Sequence, residues 1–201
     1  MRKKWPRGGN PWTVKDTRVL HEDGWLKLEG QRVIRPDDSE GDYNVVRLRQ
    51  LGVGVLPIDE RGVVTMIGQW RLPLGRYSWE MPQGGREEDE DAIACAKREL
   101  KEEAGLEATH WIKALELDLS TSLTDARSVA FVATGLSAGA AQPEACEVLN
   151  VRRAHFRDVL DRVSTHEIRE ASTVATVLRA YQMAASGELP EPLARAMLSK
   201  R

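Results

Sequence analysis

Apolar and polar positions alternate in short runs over the first quarter of the chain. Thr17–His21, Trp25–Gly30, Gln31–Arg35 and Tyr43–Leu48 read as strands. Asp23-Gly24, Gly30, Pro36-Asp37-Asp38 and Glu40-Gly41 are the expected breaks between them. Gly52–Pro57 and Val63–Gln69 read as two further strands joined by the turn Asp59-Glu60-Arg61-Gly62. Residues 70–87, with Pro73, Pro82 and several glycines, predict mostly loop. The period then changes to that of a helix. Asp89 to Ala104 is rich in Ala, Glu, Lys, Arg and Leu, and Gly105 stops it. Trp111–Leu119, Val129–Ala133 and Val148–Val151 follow as strands, and Phe156–Val163 and Ser172–Ala185 as helices.

Strands of mixed order with a few helices predict a layered α/β (α+β) domain. The expected organisation is an N-terminal β subdomain over 1–49, a main domain over 50–185 and a C-terminal tail, with a short helix, over 186–201. Residues 1–10 read as a loose basic arm carrying Arg2, Lys3 and Lys4.

Composition narrows the function. With 41% hydrophobic and 30% charged residues the chain is that of an ordinary globular domain. A net charge of −2 gives no general pull toward nucleic acid or anionic lipid, so a nucleic-acid partner is not expected. No run approaches a membrane span. The basic start lacks the apolar run of a signal peptide, and Cys95 and Cys146 form no disulfide framework, which together predict a cytoplasmic protein. Four scattered histidines leave carboxylates as the main candidate metal ligands.

Those carboxylates are concentrated at Glu99, Glu102 and Glu103. Spacings of three and four place all three on one helical face, where like charges repel unless a cation sits among them. Hard oxygen ligands select Mg²⁺, with Mn²⁺ as a substitute. Ala92, Ile93, Ala96 and Leu100 form the expected core-facing stripe on the opposite face. Gly84-Gly85 permits a tight turn before the helix, from which the carbonyl of Gln83 can join the ligand set. Glu90 is expected to begin the helix and to pair with Arg98.

The stretch Gly84–Leu106 resembles the Nudix box, G-x5-E-x7-R-E-U-x-E-E-x-G-U with U a bulky apolar residue. Gly84, Glu90, Arg98, Glu99, Leu100, Glu102, Glu103, Gly105 and Leu106 match every defined position. At average residue usage such a match arises by chance on the order of once in 10⁸ windows. The resemblance implies an α/β/α sandwich that hydrolyses a nucleoside diphosphate linked to another group. It implies metal ligation by Glu99, Glu102, Glu103 and the Gln83 carbonyl, with Arg98 orienting the glutamates.

Outside the box, Gln69-Trp70-Arg71, Trp79-Glu80-Met81-Pro82, Ser120–Asp125, Phe131–Leu136 and His166–Thr173 are similar to the ADP-ribose and nucleotide-sugar pyrophosphatase branch. That similarity implies substrate binding by Arg71 and Glu80, the latter also as an orienting partner of Arg71, and a homodimer formed through the N-terminal strands. ADP-ribose is then the first candidate substrate, before GDP-mannose or another nucleotide sugar and dinucleoside polyphosphates. A non-catalytic ADP-ribose sensor is the alternative of another class.

Two departures stand out. The branch's glutamate after Thr124-Asp125 is Ala126 here, so Asp125, Glu144, Glu147, Glu99 and Glu102 are all candidate bases. Pro82-Gln83-Gly84-Gly85 also resembles the dinucleoside polyphosphate and RNA 5′-pyrophosphohydrolase branch. Trp70, Trp79 and Tyr77 are read as core rather than as base platforms, Cys95 as a packing residue, and His155 and His166 as structural or surface residues.

Overall fold

The computed structural model describes residues 8–139 and 148–199; the arm carrying Arg2, Lys3 and Lys4, together with Glu144, Cys146 and Glu147, lies outside them. The chain divides into two compact units. One comprises the residues up to Arg49 together with Leu119–Ala126; the other holds Gln50–Asp118 and the chain from Arg127 onward.

The first unit is an antiparallel sheet of β1 (Thr13–Glu22), β2 (Leu26–Ile34) and β3 (Glu40–Leu48) in the order β1-β2-β3. Gly30 does not break β2: it pairs with Arg18 on one side and Asn44 on the other, and the ladder runs through it. Asp23 makes the β1–β2 turn by accepting from the N–H groups of Trp25 and Leu26, which with His21 hold its carboxyl down at about 2. The segment after residue 118 returns alongside β3. Val46 N–H donates to Leu123 O at 2.9 Å, and Tyr43 Oη donates to Ser122 O.

The second unit contains two sheets. One has the order β7-β4-β9-β8, formed by β4 (Gly52–Pro57), β7 (Gln83–Gly85), β8 (Leu106–Asp118) and β9 (Arg127–Ala138). Here β4 and β9 run parallel, and the outer pairs are antiparallel. The other has the order β10-β5-β6, formed by β5 (Val63–Arg71), β6 (Arg76–Glu80) and β10 (Asn150–His155), all antiparallel.

Period-2 alternation assigns each side chain of the mixed sheet to one of two cores. Val53, Val55, Val129, Phe131 and Ala133 face α1 (Ala92–Ala104), against Cys95, Ala96 and Leu100. Leu56, Ala130 and Val132 point the other way, into a larger core. That core is closed by α2 (Phe156–Ser164), α3 (Ala171–Ser186) and α4 (Glu191–Leu198), through Phe156, Val159, Val177, Met183 and Met197. A sheet covered by helices on both faces is the α/β/α sandwich the box implies.

One local expectation is corrected and two are refined. Residues 70–87 are not mostly loop. They hold a 3-10 turn at Leu72–Leu74 and the strands β6 and β7. β4 and β5 are joined by the expected turn, with Gly62 at φ 73°, but they part into different sheets and share one bridge, Ile58 to Val64. The C-terminal segment carries its helix at α4, and its Leu193, Ala194 and Met197 belong to the larger core. No helix among the described residues is long and apolar enough to cross a membrane.

Candidate active site

The helix carrying the box is bounded by its own chemistry. Asp91 is the N-cap, its side chain accepting from Ala94 N–H at 2.7 Å, and Gly105 closes the helix in the left-handed region at φ 61°. Glu90 therefore lies just before the helix rather than beginning it. It is held there by Arg98, whose Nε and Nη2 reach its two carboxylate oxygens at 3.1 and 3.0 Å.

Arg98 also donates to the Gly85 carbonyl at 3.0 Å and, through Nη1, to Glu99 at 2.6 Å and Glu102 at 3.0 Å. One guanidinium thus ties the loop before the helix to two carboxylates on it. Its hydrogen bonds to Glu90, and then those to Glu99 and Glu102, raise its pKa and keep it charged against the cost of burial.

The carboxylates do not sit opposite the core stripe. Glu99 and Glu103 are buried, at 7% and 5% exposure, beside Ala96 and Leu100, while Glu102 stands at the rim. Gly84 makes room for them: a Cβ there would lie 2.1 Å from Glu99 Oε1. The donor set is all oxygen, drawn from one helical turn and an adjacent backbone, and it fits a hard divalent cation such as Mg²⁺. Among the described residues no three ligand-type side chains already converge on one point; Arg98 supplies the positive charge beside Glu99 and Glu102.

A second cluster adjoins the first. Glu80, at the end of β6, is fully buried and accepts from Arg71 Nε at 3.1 Å, Arg71 Nη2 at 2.6 Å and Gln83 Nε2 at 2.7 Å. Burial alone would raise its carboxyl. The hydrogen bonds from Arg71, Ser78 and Gln83, with the Arg71 charge, outweigh that and hold it below its ordinary value. Gln83 N–H then donates to Glu103 Oε2 at 2.8 Å. Arg71, Glu80, Gln83 and Glu103 form one continuous polar chain from the sheet of β5 and β6 to the box helix. Arg71 feels Glu103 and Glu170 as well as Glu80, and all three charges favour its charged form.

The structure therefore brings Arg71, Glu80, Gln83, Arg98, Glu99, Glu102 and Glu103 together. Sequence reasoning missed Thr173, whose buried Oγ1 accepts from Met81 N–H at 3.0 Å across 92 residues of chain. It also missed the Gln83 side chain. The similarity of His166–Thr173 to the pyrophosphatase branch was the one available signal for Thr173.

Asp125 is engaged elsewhere: Oδ1 accepts from Leu48 N–H at 3.0 Å and Oδ2 faces Arg47 at 3.4 Å. Ala126 is buried. Trp79 packs against the larger core and meets Tyr77 edge-to-face at 5.6 Å, whereas Trp70, expected in the core, is 60% exposed. Cys95 is a buried free thiol, and His155 caps α2 and bonds the Ala196 carbonyl.

The NUDIX domain family model matches residues 48–177. The chain belongs to the Nudix family, and it is a hydrolase of that family. It is 30% identical over 145 residues to an ADP-ribose pyrophosphatase of Mycobacterium tuberculosis, covering 70% of each chain. It is 27% identical over 190 residues to an ADP-sugar pyrophosphatase of Mus musculus, covering 85% of this chain and 86% of that one. A crystal structure of an ADP compounds hydrolase superposes with a TM-score of 0.81 at 17% identity, over 92% of this chain and 100% of the other, and shows the shared fold. The resemblance read in the sequence holds for the family and for the pyrophosphatase branch.

Proposed function

We propose that the protein is a Mg²⁺-dependent diphosphatase that converts ADP-ribose to AMP and ribose 5-phosphate. The observation that carries this reading is the polar chain Arg71–Glu80–Gln83–Glu103, which joins a guanidinium suited to phosphate to the carboxylates of the box. The choice of ADP-ribose is supported by the two pyrophosphatases named above, each similar over more than two thirds of its length.

Glu99, Glu102, Glu103 and the Gln83 carbonyl would hold the cation, with Mn²⁺ able to replace Mg²⁺. Such an ion would supply charge neutralisation at the phosphate oxygens and acidification of a water. Arg71, aimed by Glu80 before substrate arrives, grips the diphosphate with little reorganisation. Arg98 holds Glu99 and Glu102 in place. With Ala126 where a glutamate is usual and Asp125 bound to Arg47 and Leu48, the proton acceptor is drawn from Glu99, Glu102, Glu144 and Glu147.

The protein works as a homodimer through its N-terminal β subdomain, a reading supported by the exposed Val14, Val19 and Leu20 of β1. A cytoplasmic location is supported by the free thiol of Cys95.

The test is incubation of the purified protein with Mg²⁺ and ADP-ribose, GDP-mannose, UDP-glucose, diadenosine polyphosphates or NADH, products being resolved by chromatography. AMP released preferentially from ADP-ribose, abolished by EDTA and by Glu103→Gln, is the expected result. Turnover confined to GDP-mannose or the polyphosphates overturns the substrate. A folded protein that binds ADP-ribose and turns over none of the panel is a sensor.

A further inference from the structure

Gln83 is expected to serve through its backbone carbonyl, yet its other two polar groups are both engaged. Nε2 donates to Glu80 at 2.7 Å, and the backbone N–H donates to Glu103 at 2.8 Å. One residue thus bridges two buried carboxylates that belong to different elements, β6 and α1. On its far side Glu80 grips Arg71. Two residues before Gln83, Met81 N–H is anchored to Thr173 at the start of α3, so the strand-to-strand link is pinned from both sides.

The chemistry calls for a neutral donor of this length. Two nearby buried carboxylates repel, and an amide that donates to one while its own N–H donates to the other holds them apart without adding charge. Lysine would place a cation where a metal must compete with it. Asparagine is one methylene too short for the 2.7 Å contact. Alanine or methionine would keep the backbone bond to Glu103 and lose the bond to Glu80.

We infer that Gln83 is a positioning residue for the hydrolysis: its side-chain amide fixes Glu80, and through it Arg71, at a set distance from Glu103. This rests on the proposed roles of Arg71 at the diphosphate and Glu103 at the cation. Without the amide, Glu80 keeps only Arg71 and Ser78 as partners and leans harder on Arg71, Arg71 is less available to phosphate, and the backbone that orients Glu103 is held at one end.

The experiment compares the full-length wild type with Gln83→Ala and Gln83→Met. It measures Mn²⁺ binding by electron paramagnetic resonance without substrate, steady-state ADP-ribose hydrolysis in Mg²⁺, and thermal unfolding. Loss of one hydrogen bond to a charged group sets the scale at about 10-fold. Both variants are expected to raise the Mn²⁺ Kd and the KM for ADP-ribose by about that factor, with kcat changed less. Methionine restores the volume but not the donor. Wild-type behaviour of Gln83→Met, or a change in Tm alone, overturns the inference in favour of simple packing. If the wild type hydrolyses no ADP-ribose, the functional reading falls. The Mn²⁺ measurement then decides by itself: a weakened Kd in both variants supports the positioning role, and an unchanged one sinks it.

Discussion

The N-terminal sheet and the sandwich use their apolar residues in opposite ways. In the sandwich, β4 and β9 send alternate side chains into two separate cores, and Val55, Leu56, Ala130 and Val132 are wholly buried. In the sheet, all ten residues of β1 are exposed, Val14, Val19 and Leu20 among them, and Val33 is its one buried apolar side chain among the described residues. Yet both regions form extended ladders: β2 pairs with β3 from Leu26 through Ile34 without a shift, while β1 shifts register twice against β2. Backbone pairing sets shape and register in both regions, but only the sandwich adds a dry interior, worth about 1.5–3 kcal/mol for each large side chain fully buried. The sheet leaves Val14, Val19 and Leu20 exposed, and these are the residues on which the proposed dimer rests.

That contrast can be broken or sharpened by experiment. The largest effect is expected in the sandwich, at the box. Glu103→Gln is expected to lower ADP-ribose turnover by on the order of 10²–10³-fold or more, with Tm and assembly unchanged, as read by product chromatography and calorimetry. Gly84→Ala comes next. The added methyl displaces the Glu99 carboxylate, and a shift of about 1 Å costs about 10²-fold in rate while the fold survives. Circular dichroism separates that from unfolding.

Stability is expected to distinguish the two regions directly. Leu100→Ala opens a cavity between α1 and the mixed sheet and costs about 2–5 kcal/mol, a fall in Tm of about 2–4 °C for each. Val19→Asp in β1 is expected to leave unfolding of the sandwich nearly unchanged and to shift sedimentation from dimer toward monomer. A fall in Tm as large as that of Leu100→Ala would show that the sheet has a core of its own, and the comparison would fail.

The smallest effect concerns Cys95. Burial first, and then the neighbouring Glu90 charge, push its thiol up to about 12. At pH 8 it is therefore protonated and inaccessible, and iodoacetamide is expected to label it only after denaturation, as peptide mass mapping would show. Labelling in the native protein would mean that the inner face of α1 opens.

Parts of this molecule could be read directly from its residues. The box helix was legible because its determinants are local: carboxylates three and four apart, Ala96 and Leu100 on the core stripe, and Gly105 as a left-handed stop. The same holds for α2 and α3, and for the turn at Gly62. The stretch from residue 70 to 87 was not legible. Its prolines and glycines signal loop, while β6 and β7 exist because Ile67 faces Glu80 and Gly52 faces Gly85. Nothing within the stretch specifies those partners. Nor could sequence divide β4 and β5 between two sheets, since their shared turn is equally compatible with a hairpin.

The sequence alone determined the family and the helix that carries the box, because helical spacing is an i to i+4 property written in adjacent residues. Tertiary structure alone decided which of the candidate residues lie together. Only folding sets Glu80 between Arg71 and Gln83, brings Thr173 to Met81 across 92 residues, and commits Asp125 to Arg47 and Leu48. These are contacts between distant segments, fixed by how sheets pair and cores close, and no local pattern encodes them.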